Sequence, residues 1–199
     1  MATIMLSAVG ASIGGSFGGA VLALGATDAW AGQSGRIAVG ANGGWVFVDP
    51  SRGMRAFVAD KGAEAIYDGK TWFVGAATLG PNGSGLAFSM AEGEVTVGAG
   101  AVFDSRISIP ASVMVIGAVA RVTQALTGTL QTWRFGTTGA DNRFGQGLGK
   151  SAGSWARGLL GTPMTYYSGA NLLITAEGGT FTGGKIKLAV HWMELRLPD

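Results

Sequence analysis

The sequence predicts an all-β protein: a small β-hairpin meander followed by an antiparallel, jelly-roll-like β-sandwich, with a short apolar N-terminal anchor, helical or extended, in front. Three observations lead there. Glycine supplies 36 of the 199 residues, against about 14 at its usual ~7% share, and no collagen period orders them. An interior glycine costs a helix about 1 kcal/mol relative to alanine, so this density favours short strands joined by tight turns. Asn42-Gly43 and Asp68-Gly69 stand between apolar runs, where the primed hairpin turns want such pairs. The later apolar runs alternate with period two.

Composition narrows the function classes. Charged residues are 13% of the chain, about half the usual share, while hydrophobic residues are 47%. Such a chain folds rather than staying disordered. It is long enough for one medium domain or two small ones. There is no cysteine, which excludes disulfides, thiol chemistry and thiolate-bound metals without fixing a compartment. The net charge is +2, and Arg52/Arg55 and Lys185/Lys187 read as pairs rather than patches. No nucleic-acid partner is expected.

Residues 1–27 carry no charged side chain. Leu6, Val9, Ile13, Phe17, Val21 and Leu24 recur at helical steps, and Gly10/Gly14, Gly14/Gly18 and Gly15/Gly19 have the small-xxx-small spacing of close-packed helices. The run is long enough to span a bilayer. A signal peptide would want a basic start, and a span would want basic flanks, yet the first basic residue is Arg36. An anchor packed against other subunits is the preferred reading.

Residues 28–74 hold short alternating runs (RIAV, WVFV, MRAFV, AEAIY, TWF) and are expected to form a meander of four or five strands. Trp45, Phe47, Phe57, Tyr67 and Trp72 could stack on sugars, but the core of a small sheet is the simpler role. Residues 75–93, centred on Pro81-Asn82-Gly83-Ser84-Gly85, read as a glycine-rich linker. From 94 to 199 the runs lengthen, ending in KIKLAVHWMELRL. There Ile186, Leu188, Val190 and Trp192 face one way, and Lys185, Lys187, Ala189, His191 and Met193 the other. This second part is the expected β-sandwich and receptor-binding domain.

Catalytic motifs are weak. The single histidine, His191, does not make a zinc site on its own. No Gly-x-Ser-x-Gly elbow precedes a helix. Glu92 and Glu94 sit at the linker-to-strand junction, and Asp141 stands alone, so a pair of carboxylates for glycoside hydrolysis is unsupported. Gly145, Gly147, Gly149 and Lys150 lack the Walker spacing. The expectation is no enzyme, no metal and no cofactor. The distinctive stretch is 136–169, read as loop-rich. It carries Asp141, Asn142, Arg143, Trp155, Arg157, Tyr166 and Tyr167, planar polar groups beside aromatic rings, as carbohydrate binding uses. The plainer alternative pairs Arg143 with Asp141 and packs the tyrosines into the sandwich.

The segments ATDAWAGQSGRIAVGANGGWVFVDPSRGMRAFVADKGAEAIYDGKTWF, IPASVMVIGAVARVTQALTG and ADNRFGQGLGKSAGSWARGLLGTPMTYYSGANLLITAEGGTFTGGKIKLAVHWMEL together resemble a family of unknown function from alphaproteobacterial prophages, phages and gene transfer agents. The resemblance covers about residues 26–198. Its first 25 residues instead resemble the start of a large baseplate or tail-tip protein, as if the attachment segment had been exchanged. The resemblance implies a structural fibre or spike of a virion-like particle, assembled in the bacterial cytoplasm and exposed on the particle. It implies a homotrimer, other virion proteins as partners of the N-terminal segment, and a host surface polysaccharide as the partner of the C-terminal domain. A non-adhesive adaptor or head decoration is the alternative, and a capsule-degrading enzyme a more distant one.

Overall fold

The computed structural model describes residues 4–7, 19–22, 30–41, 44–58 and 61–199. The chain forms two compact units, residues 1–88 with 195–199, and residues 89–194.

In the first unit, β1 (Ile4–Ser7) and β2 (Gly19–Leu22) pair in parallel. β2 also pairs antiparallel with β3 (Ile37–Ala41), which forms a hairpin with β4 (Gly44–Val48) closed by the Ala41/Gly44 pair. The described parts of the N-terminal segment are therefore extended, although its apolar spacing fits a helix. The rest of that spacing, and the Asn42-Gly43 turn, lie outside the described residues. β5 (Arg55–Val58), β6 (Ala63–Tyr67) and β7 (Trp72–Val74) make a separate three-stranded sheet. Among the described residues, the stretch 28–74 thus holds five strands, split between two sheets rather than joined in one meander. Among the described residues, the buried apolar side chains of this unit are mostly small: Ala38, Ala56, Ala65, Ala76 and Ala87 beside Ile37, Val58 and Ile66.

The stretch read as a linker is mostly strand. β8 (Ala76–Leu79) turns through residues 80–84 into β9 (Gly85–Thr96). The Gly80 amide donates to Ser84 O at 2.7 Å, and Gly83 holds φ +85°, which its missing Cβ permits. Its glycines serve a hairpin turn and let backbones approach: a Cβ on Gly85 would lie 2.6 Å from Thr78 O.

Asp68 organises one end of this unit. Its carboxylate is buried and accepts from the Lys70 and Thr71 amides, both at 2.6 Å, and from the Thr71 hydroxyl at 2.9 Å. It is also ion-paired with the Arg196 guanidinium, which lies 5.2 Å from the Phe73 ring centroid. Arg52 donates to Asp68 O at 2.9 Å and to Gly80 O at 2.6 Å. Burial pushes the Asp68 carboxyl up, but the Thr71 and Lys70 amides, Arg196 and the Thr71 hydroxyl together outweigh it and hold the group well below the usual carboxylate range.

The second unit is an eight-stranded antiparallel sandwich. Its strands are β9, from Ser89 onward, then β10 (Val102–Ile109), β11 (Val113–Gly128), β12 (Thr132–Thr137), β13 (Ala140–Leu148), β14 (Trp155–Tyr166), β15 (Ala170–Glu177) and β16 (Phe181–Arg196), the last up to Glu194. One sheet runs β10-β15-β12-β13, and the other β14-β11-β16-β9. The pairing is nested: first strand beside last, second beside seventh, third beside sixth, fourth beside fifth. That is the jelly-roll arrangement. Alternation fills the space between the sheets. Ile109, Trp133, Phe135, Leu172 and Ile174 come from one sheet, and Val115, Val122, Ile186, Leu188 and Val190 from the other. The Trp133 indole N–H donates to Gly149 O at 2.8 Å, so the largest core ring leaves no buried donor unmet.

The stretch 136–169, expected to be loop-rich, is largely β13 and β14 with short turns between. Glycine is there for contact rather than for looseness. A Cβ on Gly158 would lie 2.3 Å from Phe144 O, so only glycine lets β14 approach β13 so closely.

Candidate functional site

The seven candidate residues all fall on β13, β14 and the turn after β14, and the structure sorts them into three settings. Asp141 belongs to a polar cluster with Arg134 and Glu177. Arg134 Nη1 is 3.1 Å from Asp141 Oδ2, and Arg134 Nε is 2.9 Å from Glu177 Oε1. Glu177 also accepts from the Thr132 hydroxyl at 2.8 Å and the Gly147 amide at 2.9 Å. The Arg134 hydrogen bond, then Thr132 and the Gly147 amide, lower the Glu177 carboxyl, and Glu177 and Asp141 in turn raise Arg134. This cluster ties β12, β13 and β15 together. Asp141 therefore pairs with Arg134 and not with Arg143.

Arg143 reaches across to β14, where its Nη1 meets the Met164 thioether, and its Nε is buried without an acceptor among the described residues. Asn142 donates to Gln146 Oε1 at 3.0 Å. Tyr166 packs on the core, its hydroxyl 3.4 Å from the Thr137 hydroxyl. Tyr167, one residue later, is 86% exposed.

Trp155 and Arg157 do come together. Two apart on β14, they share its outer face while Ala156 between them is buried. Trp155 is 60% exposed, and the Arg157 guanidinium carbon lies 5.9 Å from its ring centroid, within reach of a cation–π contact. Register extends the face in a way the sequence does not display. Trp155 is opposite Arg121 on β11, and Arg121 is opposite Lys187 on β16. Arg157 is opposite Val119, itself opposite Ala189. All of Trp155, Arg157, Arg121 and Lys187 are exposed.

Arg121 and Lys187 were not picked out from the sequence, where Lys185/Lys187 looked like an isolated pair. The usable signal was alternation: in KIKLAV and AVARVTQ the basic residues occupy the positions opposite in phase to the buried aliphatics. Only strand pairing shows that the two basic faces are one.

Comparison with known proteins finds similarities to a sequence family and to solved structures. Residues 18–73 match the sequence profile of a family described as a protein of unknown function (DUF2793). No curated protein matches the chain. Among solved structures, the chain is similar to a chain of the cyanophage Pam1 capsid asymmetric unit, with 22% identity and a TM-score of 0.38, over 60% of this chain and 91% of that one. The family match falls within the first unit, and the face around Trp155 lies outside it.

Proposed function

We propose that this chain is a structural fibre or spike subunit of a phage-like particle and that its jelly roll attaches to polysaccharide on a host surface. One observation carries the adhesive part: a solvent-facing tryptophan on the outer face of a well-packed sheet, with the Arg157 guanidinium carbon 5.9 Å from its ring centroid. Trp155 at 60% and Leu159 at 75% exposure lie on the same outer face of β14 and make an apolar surface of the kind that marks an interaction site. A sugar ring covers the indole well, offering C–H groups to the ring face and hydroxyls to the neighbouring arginine. Rigid strands hold such a platform more closely than loops do. The N-terminal segment would attach the subunit to other particle proteins, and the reading assigns no catalytic step.

The test is binding of labelled full-length chain to host-like cells with and without their surface polysaccharide. Adhesion predicts binding that disappears with the polysaccharide and with Trp155→Ala, while the variant keeps its fold. Equal or absent binding on both cell types, from folded protein, overturns it.

A second reading, a non-adhesive adaptor working as a homo-oligomer, is favoured by β4. This strand lies at the edge of its sheet. Its residues Trp45, Val46 and Val48 are 36%, 53% and 41% exposed, and it carries no charge. Soluble proteins seldom leave an uncharged apolar edge uncovered, and a symmetric partner copy would cover it.

A further inference from the structure

We propose that the polysaccharide taken by the jelly roll is acidic, a polymer of carboxylate-bearing sugars lying along the row Trp155–Arg121–Lys187 with Arg157 beside it. The inference rests on the adhesive reading above and adds to it the chemical class of the ligand and the residues that select it.

Side chains directly opposite on neighbouring strands sit about 5 Å apart at Cβ, and like charges placed so repel. Arg121 and Lys187 are such a pair, and Arg157 stands nearby on β14. No ion pair among the described residues involves Arg121, Arg157, Lys185 or Lys187. Arg52, Lys61, Arg106, Arg143 and Lys150 are in no ion pair among the described residues either, but register sets no other two of these cations directly opposite one another. Two acids share the outer face: Glu92 and Glu94 are exposed on β9, the strand on the other side of β16, and Glu94 accepts a hydrogen bond from Thr123 on β11 at 2.6 Å. What sets this face apart is the placement of Arg121 directly opposite Lys187, and a bound anion would remove their repulsion.

The row also has the shape for a carboxylated sugar chain. Strands are about 4.8 Å apart, so Trp155 to Lys187 spans about 10 Å, roughly a disaccharide. The indole would take a ring face, and the Arg121 guanidinium would grip a carboxylate with two parallel hydrogen bonds, which its planar fork favours. Lys187 would meet the next charge. The row next to it on the two inner strands is Val119 and Ala189, low enough for an extended polymer to lie flat. A polynucleotide fits less well, since it would ask for a longer cationic track with several stacking rings.

The experiment measures binding of the full chain to labelled polygalacturonate, to neutral dextran and to duplex DNA, at low and high salt. The expected result is polygalacturonate bound at least about tenfold more tightly than dextran or DNA, weakened by salt. Arg121→Gln/Lys187→Gln should lose about tenfold in affinity for polygalacturonate without any fall in melting temperature, and Trp155→Ala should also lose binding. Lys187→Gln alone serves as the check should the double variant fold poorly. Equal binding of dextran, untouched by Lys187→Gln, would overturn the acidic class and leave adhesion standing. DNA bound as tightly as polygalacturonate would overturn the glycan assignment. Binding to no polysaccharide at all would overturn this inference, and failure on host cells as well would take the adhesive reading with it.

Discussion

The two units solve the problem of staying folded differently. Residues 89–194 rely on burial: Trp133, Phe135, Phe181, Leu172, Ile174, Ile186 and Leu188 are almost wholly removed from water between two sheets. The first unit, among its described residues, buries mainly alanines and leaves Val46, Val48, Met54 and Phe57 at 39–53% exposure. What it has instead is a polar knot, with Asp68 accepting from two amides and a hydroxyl, Arg52 fastening two turns, and Arg196 joined to the same carboxylate. A core of small residues yields little apolar area, at about 25 cal/mol per Å². Directional bonds must then define the fold, and they also make it sensitive to charge state.

Substitutions can break that contrast. The largest effect should come from Trp133→Ala, which deletes a fully buried ring and its hydrogen bond to Gly149 and should cost about 3–5 kcal/mol of stability. Chemical denaturation followed by fluorescence would read it. Asp68→Asn should cost about 2–3 kcal/mol, because it removes the charge that Arg196 and two amides were arranged around.

The same carboxylate gives the first unit an acid response. Its folded-state pKa is depressed, so the stability it contributes is present above the unfolded value of about 3.9 and is lost as pH falls toward the folded one. Stability measured by urea titration should be flat above about pH 5 and decline below about pH 4, and Asp68→Asn should flatten that decline. A decline that persists unchanged in the variant would assign it to other acids.

Gly158→Ala should cost about 1–3 kcal/mol, since the new methyl meets the Phe144 backbone and the two strands must part. The smallest effect runs the other way. Lys187→Gln should stabilise the jelly roll by about 0.2–0.5 kcal/mol by relieving its repulsion with Arg121, visible as a slightly raised melting temperature. Stability gained together with binding lost would mark Lys187 as kept for its ligand.

Alternation made the last strand legible in the sequence: Ile186, Leu188, Val190 and Trp192 are buried, and Lys185 and Lys187 exposed, because period-two order survives wherever one face meets a core. It failed in two places for one reason. In 75–93 and 136–169 glycine suggested loops, yet Gly85 and Gly158 lie in strands whose neighbours come too close for a side chain, a property of partners distant in sequence. The candidate site divided along similar lines. Trp155 and Arg157 were legible as neighbours once their strand was recognised. Arg121 and Lys187 were not, since register alone puts them beside it. Asp141 was drawn away by Arg134, which sits on another strand.

The nested pairing has a kinetic side. β12 and β13 are joined by a two-residue turn, so this hairpin closes with little loop entropy, and each outer pair must close a longer loop. β16 is inserted between β11 and β9, so neither of those strands has all its partners until the last one arrives. Contacts this distant along the chain place refolding of the roll in the millisecond-to-second range rather than in microseconds. During that interval β9 and β11 present bare edges, with which another unfinished copy of the chain can pair. A roll built this way folds best where its neighbours are few.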